Sequence, residues 1–410
     1  MAQPAMVGEA SLPAHLGTVS PNPADMRETS DPSLLSEVRK YGVFNAHGCF
    51  NCGSCTIVCD LATDSASFPR RTMQSVVLGL KDSVRQGLEP WLCHDCGDCS
   101  ATCPREAKPR ESLMTLRRYL TAQYDWTGLS RRICRSPAWE IAALSSAAGL
   151  VLALIILYHL YIERLDISVF RSTSMGLEHM FNRITYFTLA VFLIPAFFMA
   201  SHAARMLSLT MRRGPHAAIP LKFYLAEAKT MFLQMVTHRR FLKCPATIHR
   251  RRWIMHWLLA FGCCLMFVIK FFFLRWFQTD KIYPIYNPQR WLGYMGAAFL
   301  VLGTLDILRE RARKREPIYG KSGLGDLILP VLLLLTALSG MAVHVLRYVG
   351  LGLGAHYTYA AHLMIAVPML VVEVPFGRSS HMLYRPLALY FTAVKERALK
   401  GVMAEEGKAA

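Results

Sequence analysis

Acidic residues are scarce in this chain: 28 Asp and Glu stand against 46 Lys and Arg in 410 residues, a formal net charge of +18. Such a surplus would suit a nucleic-acid binder, but the chain is also 53% hydrophobic with a positive mean hydropathy. Those two properties conflict in a soluble basic domain and agree in a membrane protein with basic cytoplasmic loops, so no nucleic-acid partner is expected. Also missing is an apolar run ahead of the first cysteines, so no secretory signal peptide is expected. Paired spacing is absent from Cys134, Cys244, Cys263 and Cys264, which argues against a disulfide framework.

The other eight cysteines are ordered. Cys93, Cys96, Cys99 and Cys103-Pro104 follow C-x2-C-x2-C-x3-C-P, and Cys49, Cys52, Cys55 and Cys59 repeat the spacing, with Asp60 in place of the proline. Three sulfurs on one tight loop and a fourth on the following turn suit a 4Fe-4S cluster. In two-cluster ferredoxins the fourth cysteine of each run serves the other run's cluster. One centre is therefore expected on Cys49, Cys52, Cys55 and Cys103, the other on Cys93, Cys96, Cys99 and Cys59. Zinc is the competing metal, but structural zinc usually draws on two separated knuckles, whereas each quartet here is packed into one loop.

Length allows two or three domains. Residues 1–34, rich in proline, alanine and serine, read as a disordered tail. Residues 35–125 read as a helical two-cluster ferredoxin domain: between the cysteine runs, Met73, Val76, Val77, Leu80, Val84 and Leu88 recur at helical spacing. Residues 126–390 hold six apolar stretches, at about 138–161, 184–208, 253–274, 291–308, 325–346 and 357–376, each long enough to cross a hydrocarbon core of about 30 Å. Residues 391–410 read as a cytoplasmic tail. The expected fold is all-α, a ferredoxin domain followed by a six-span bundle of the cytochrome b type.

The loops orient the bundle. Between spans two and three lie Arg212, Arg213, Lys222, Lys229, Arg239, Arg240, Lys243 and Arg250 to Arg252 against the single acid Glu227, and the loop after span four is basic as well. The positive-inside rule then places both termini and the cysteine runs on the cytoplasmic side of the inner membrane. Within the long loop, Leu221, Tyr224, Leu225, Ala228, Met231, Phe232 and Met235 share one helical face. That face rests either on lipid or beneath the cluster domain.

Histidines sort by depth into two layers: His202, His256 and His381 toward the cytoplasm, and His159, His179, His344 and His362 toward the outside. One or two b haems would draw two axial ligands each from such layers. A histidine near a span end is also commonly interfacial or hydrogen-bonded, the reading preferred for His159, His179 and His202.

The stretch from His362-Leu363 through Val374-Pro375-Phe376 to His381 resembles the last span of the cytochrome b subunit of membrane-bound nitrate reductases, with a separation of 19, one residue longer than in that family. The resemblance implies that His362 and His381 ligate different haems and that His256 is the inner-haem partner. The family's outer ligand would fall at Met266, so an outer haem would pair His362 with His344 or with Met266. Fused to a two-cluster domain, the chain resembles the membrane subunit of the quinone-interacting membrane-bound oxidoreductase complexes of sulfate reducers. That resemblance implies oxidation of menaquinol from the menaquinone pool and flavin-containing heterodisulfide-reductase-like cytoplasmic subunits. It also implies an eventual link to adenylylsulfate reductase.

Glu373 and Lys270 are ionisable groups at membrane depth and hence candidate quinone or proton-handling residues. Glu373 alternatively pairs with an arginine or backbone group, and Lys270 alternatively snorkels to the outer interface. Two rival functions use related parts. One is a membrane subunit delivering quinol electrons to a heterodisulfide or a trisulfide. The other is a membrane scaffold without redox centres, which predicts no b-type absorption.

Overall fold

In a computed structural model the chain is described over residues 28–62, 67–161, 170–175, 181–211, 219–238, 247–277, 279–314, 319 and 323–409. Most of the expected tail, His179 and Cys244 lie outside these residues, as do Arg212, Arg213, Arg239, Arg240 and Lys243. The described residues are helical, without a strand.

Eight short to medium helices precede the spans: α1 (Leu34–Arg39), α2 (Ser54–Ile57), α3 (Arg70–Val77), α4 (Lys81–Gln86), α5 (Glu89–Leu92), α6 (Asp98–Ala101), α7 (Pro109–Tyr124) and α8 (Leu129–Arg135). Helix α7 is the keel, burying Leu113, Leu116, Tyr119, Leu120 and Tyr124 along one side. These recur at three- and four-residue intervals, the period of a helix that buries one face. The last residues of the expected tail are docked: Ser30 Oγ donates to Leu78 O at 2.6 Å, and Lys81 pairs with Asp31 at 3.0 Å.

Six helices are long and apolar enough to cross a membrane, covering Pro137–Tyr161, Thr185–Met211, Arg250–Phe272, Pro288–Arg313, Leu324–Tyr348 and Gly352–Phe376. Their bounds lie within a few residues of those read from hydropathy. We label the corresponding helices α9 (Pro137–Tyr161), α10 (Phe181–Met211), α12 (Thr247–Phe272), α13 (Pro288–Arg313), α14 (Leu324–Tyr348) and α15 (Gly352–Pro368), with α11 (Leu221–Thr237) between α10 and α12. Helices α12 and α13 approach closely along small residues. A Cβ on Gly262 would lie 3.1 Å from Gly296 O, and one on Gly303 would lie 2.8 Å from Leu259 Cβ. Small residues of this kind let transmembrane backbones meet where no hydrophobic effect drives them together.

The sixth span is not one continuous helix. After Pro368 it passes through a π-turn, Met369–Glu373, a single turn Val374–Phe376, and a 3-10 turn Arg378–Ser380 before α16 (His381–Ala409). A π-turn accommodates one more residue than an α-turn.

Helix α16 joins the two halves of the protein. Tyr384, Ala388, Phe391 and Val394 on α16 share one buried core with Leu34, Val38, Trp91, Tyr119 and Tyr124 of the cysteine region and with Met206 and Met211 of α10. Rings of Trp91 and Tyr124 each lie 5.0 Å from that of Tyr384. Position 390, expected as the end of the spanning domain, falls inside α16. Helix α11 packs along α16, with Tyr390 donating to Tyr224 O at 2.7 Å and Arg397 pairing with Glu227 at 2.6 Å. Its Leu221, Leu225, Phe232, Met235 and Val236 stay exposed. The loop helix thus rests one side on α16, rather than on the cysteine-bearing helices, and presents the other as an apolar surface.

Candidate functional site: two cysteine-lined cavities and an adjoining histidine cluster

The two cysteine runs fold as a local repeat. In each, the residue before the second cysteine takes a left-handed conformation (Asn51, φ 57°; Asp95, φ 60°), as does the glycine after it (Gly53, φ 86°; Gly97, φ 94°). Glycine meets the second of these at no steric cost, and Asn or Asp tolerates the first. Each loop then enters a one-turn helix, α2 or α6, and these two helices pack against each other. Asp60 closes its loop as Pro104 does. The chain turns after Cys59 by Ala62 N–H donating to Cys59 O, and after Cys103 by Glu106 N–H donating to Cys103 O.

The quartets surround two separate cavities. One is lined by Cys59, Cys93, Cys96 and Cys99, the other by Cys49, Cys52, Cys55 and Cys103. Each cavity therefore receives three cysteines from one run and the fourth from the other. Backbone amides point at sulfur, from Asp95 to Cys93 at 3.4 Å and from Ala107 to Cys103 at 3.3 Å. Among the described residues no three His, Cys, Asp or Glu side chains converge on a point that a single ion would occupy. A cavity ringed by four sulfurs without such convergence fits a cubane better than one tetrahedral zinc. None of the eleven cysteines among the described residues forms a disulfide.

Electrostatics agree. Burial pushes the thiols of Cys55, Cys59, Cys93, Cys96 and Cys99 up, Cys96 to about 12. Thiolates persist in such surroundings only against compensating positive charge, which metal coordination supplies. Arg110 grips Asp95 through two contacts of 2.6 and 3.1 Å, fixing the second loop to α7. Arg117 donates to Pro90 O at 2.7 Å and to Cys93 O at 2.6 Å.

The wall of the cavity lined by Cys59, Cys93, Cys96 and Cys99 continues into the bundle. His94, between Cys93 and Cys96, lies 3.3 Å from Arg385 Nη2, and Arg385 stands one turn beyond His381 on α16. His381 Nδ1 meets Arg378 O at 3.0 Å, which makes Nδ1 the protonated nitrogen and leaves Nε2 as the one able to ligate. Burial moves His381 toward the neutral form a metal needs, and the charges of Arg117 and Arg385 add to this against the hydrogen bond to Arg378. His256 and His381 lie within electrostatic reach of one another, on helices that make no extended contact. His238, at the end of α11, approaches His256 edge-on with ring centroids 5.1 Å apart. Sequence reasoning overlooked His238 because it lies in a loop rather than a span. The third inner histidine, His202, is fully buried with Nε2 3.3 Å from Asp125 Oδ1.

At the outer end the candidates are dispersed. His362 rests on α14, where its Nδ1 is 2.9 Å from Ser339 Oγ and its Cε1 would lie 3.2 Å from a Cβ on Gly340. His344 turns toward α13, its Nδ1 hydrogen-bonded with the Tyr294 hydroxyl and its buried Nε2 without a partner. Met266 Sδ packs against Gly296 of α13. Lys270 places Nζ 4.9 Å from the centre of the Phe277 ring and lies within electrostatic reach of His362. Glu373 lies at the inner end, fully buried, with Oε1 accepting the backbone N–H of Arg378 at 2.9 Å.

Residues 48–108 match the 4Fe-4S dicluster domain family. Over 103 residues the chain is 28% identical to a heterodisulfide reductase subunit-like protein of Archaeoglobus profundus, a match covering 25% of this chain and 55% of the relative. It is 38% identical over 69 residues to an iron-sulfur subunit of the CoB-CoM heterodisulfide reductase of Methanocaldococcus jannaschii, covering 17% of this chain and 37% of that one. Against the corresponding iron-sulfur subunit of Methanopyrus kandleri it is 30% identical over 99 residues, 22% and 52% of the two chains. The chain thus spans about half the length of these relatives or less, and no solved structure matches. It is an iron-sulfur electron-transfer protein related to these heterodisulfide reductase subunits, joined to six helices of membrane-spanning length.

Proposed function

We propose that this protein oxidises menaquinol in the cytoplasmic membrane and passes the electrons through haem b and two 4Fe-4S clusters to flavin-containing cytoplasmic subunits that serve adenylylsulfate reductase. Quinol oxidation yields two electrons and two protons, whereas haem and cubane centres each carry one electron. One-electron centres held by the cysteine quartets and the inner histidines would therefore allow the pair to be split and rejoined between a quinone site and a flavin. The single observation that carries this reading is the run along α16. His381 and Arg385 stand one turn apart, and Arg385 reaches His94 between two cysteines of the nearer cavity. Haem would be held at the inner end by His256 and His381, whose Nδ1 contact to Arg378 presents Nε2. When bound, that group supplies one-electron chemistry at a potential set by its ligands and burial.

The protein's own part is geometric. Arg117 and Arg385 hold positive charge between the histidines and the cluster cavity, and the core shared by α7 and α16 fixes their separation. Helix α11 and the bundle contact lipid. The outer end, with His362, His344 or Met266 as ligands and Lys270 near His362, is the proposed place of a second haem or of the menaquinone head group. The electron-donor side faces outward and the cysteine region faces the cytoplasm in this reading.

A second reading has its own support: the relatives are proteins of the heterodisulfide reductase kind, which favours a disulfide or trisulfide as the final acceptor. A dithionite-reduced minus oxidised spectrum of the purified protein, with pyridine haemochrome and iron quantitation, tests the chain of centres. Haem b with about eight cluster irons per chain supports it; iron without haem overturns the haem assignment. Turnover of the whole complex with adenylylsulfate reductase against disulfide acceptors separates the two acceptors.

A further inference from the structure

Two buried carboxylates meet at the inner end of the bundle with no donor between them. Glu140, on the first turn of α9, and Glu373, at the end of the π-turn, are fully buried, and their carboxyl groups are within hydrogen-bonding contact of one another. Glu373 Oε1 takes the Arg378 N–H, but Glu373 Oε2 and both Glu140 oxygens find no donor. Ile133, Leu144, Val372 and Phe376 form the apolar wall around them. A Cβ at Gly377 would overlap the Glu373 carboxylate, so the chain leaves that space for it.

The charges around the pair do not neutralise it. Arg378 Nε is 3.9 Å from Glu140 Oε2, but its Nη1 is committed to Asp326 of α14. Asp326 also takes Arg118 of α7 at 3.2 Å and lies in the field of Arg311 of α13. From α8, the Cys134 thiol lies near the pair, while Arg135 stacks over Tyr41. From α10, His202 faces Asp125. Arg378 and Arg118, both committed to Asp326, thus stand against three carboxylates of which two touch, and in such surroundings like charges in contact cannot both ionise.

We propose that Glu140 and Glu373 form a proton-holding site, an acid and a carboxylate sharing one proton at neutral pH. The shared proton is the donor that the orphaned oxygens lack. The site is also wired to the histidine cluster: Arg378 gives its N–H to Glu373 and its carbonyl to His381. Proton occupancy of the pair therefore responds to reduction of the protein, a consequence that rests on the proposed function, whereas the shared proton itself does not.

Infrared spectroscopy of the full-length purified protein tests both parts. The wild type is expected to show a carboxylic-acid C=O stretch at neutral pH that is lost in Glu140→Gln and equally in Glu373→Gln, each retaining its cluster absorption. Loss in only one variant overturns the sharing, and absence of the band from the wild type overturns the site without recourse to variants. In the reduced minus oxidised infrared difference spectrum the same band is expected to shift. A band present but unmoved overturns the link to electron transfer and leaves the shared proton standing, and the haemochrome assay reports separately on the haem.

Discussion

The two ends of the bundle carry similar numbers of histidines and arrange them differently. At the inner end His256 and His381 come from helices with no extended contact, and His381 has its Nδ1 fixed by a backbone carbonyl. At the outer end His344 and His362 come from α14 and α15, which pack directly on one another, and each meets a neighbouring hydroxyl. A flat cofactor gripped from both faces needs helices standing apart, because directly packed helices lie only about 8–10 Å between axes. Residue type marks both layers as candidates; only the helix arrangement separates the spaced inner pair from two outer imidazoles that each meet a hydroxyl through Nδ1.

The strongest break in that comparison is mutational. His256→Ala or His381→Ala is expected to abolish the b-type absorption of the proposed inner haem, whereas His344→Ala leaves that absorption in place; equal loss in all three by pyridine haemochrome would erase the distinction between the ends. Next in size, Cys99→Ser is expected to lower bound iron from about eight to about four per chain while haem absorption persists. Simultaneous loss of both would mean that the shared core along α16 makes cluster and bundle one cooperative unit. At the outer end, Gly340→Leu would drive a side chain into His362; if an outer haem uses His362, its signal is lost and the inner one remains.

Smaller effects sharpen the inner end. Arg385→Met removes a positive charge beside His94, which favours the oxidised cluster and lowers its potential. A drop on the order of 60 mV, a tenfold change for one electron, is expected in a redox titration followed by electron paramagnetic resonance. The smallest effect concerns Asp125. Burial alone would raise its pKa, but hydrogen bonds from His202, Thr127 and Ser130 outweigh this and hold it well below the usual carboxylate value of 3.8. Its folded pKa being depressed, its contribution to stability is present above that value and is lost as the pH falls below it. His202→Leu should flatten that acid limb of a thermal-melt series without changing haem absorption, which would confirm that not every inner histidine belongs to the redox path.

Much of this is legible from the chain alone, for reasons of unequal strength. The cysteine spacing is local, so the two quartets can be assigned without a fold, and the structure gathers the same four around each cavity. Hydropathy reports length and depth, so the six spans emerge with bounds off by at most about five residues. It does not report which helices are neighbours. For that reason the approach of His238 to His256, the packing of Met266 against Gly296 and the meeting of Glu140 with Glu373 all lie beyond the pattern. Glu140, one turn into an apolar stretch, reads as an ordinary acid near a helix start until the last span is seen to fold back beside it. The docking of α16 is hidden for a related reason, since a polar helix after the final span resembles a tail.

The π-turn at Met369–Glu373 has a consequence for how this architecture varies. Adding one residue to a continuous α-helix rotates everything beyond it by about 100°, the angle set by 3.6 residues per turn, and would swing His381 off the face it shares with the bundle. Confining the surplus to one wide turn makes the last span two rods with a joint. The upper rod, bearing His362, and the lower, bearing His381 and Arg385, can then change length independently. A residue inserted or removed at the joint would leave both histidine levels aimed as before.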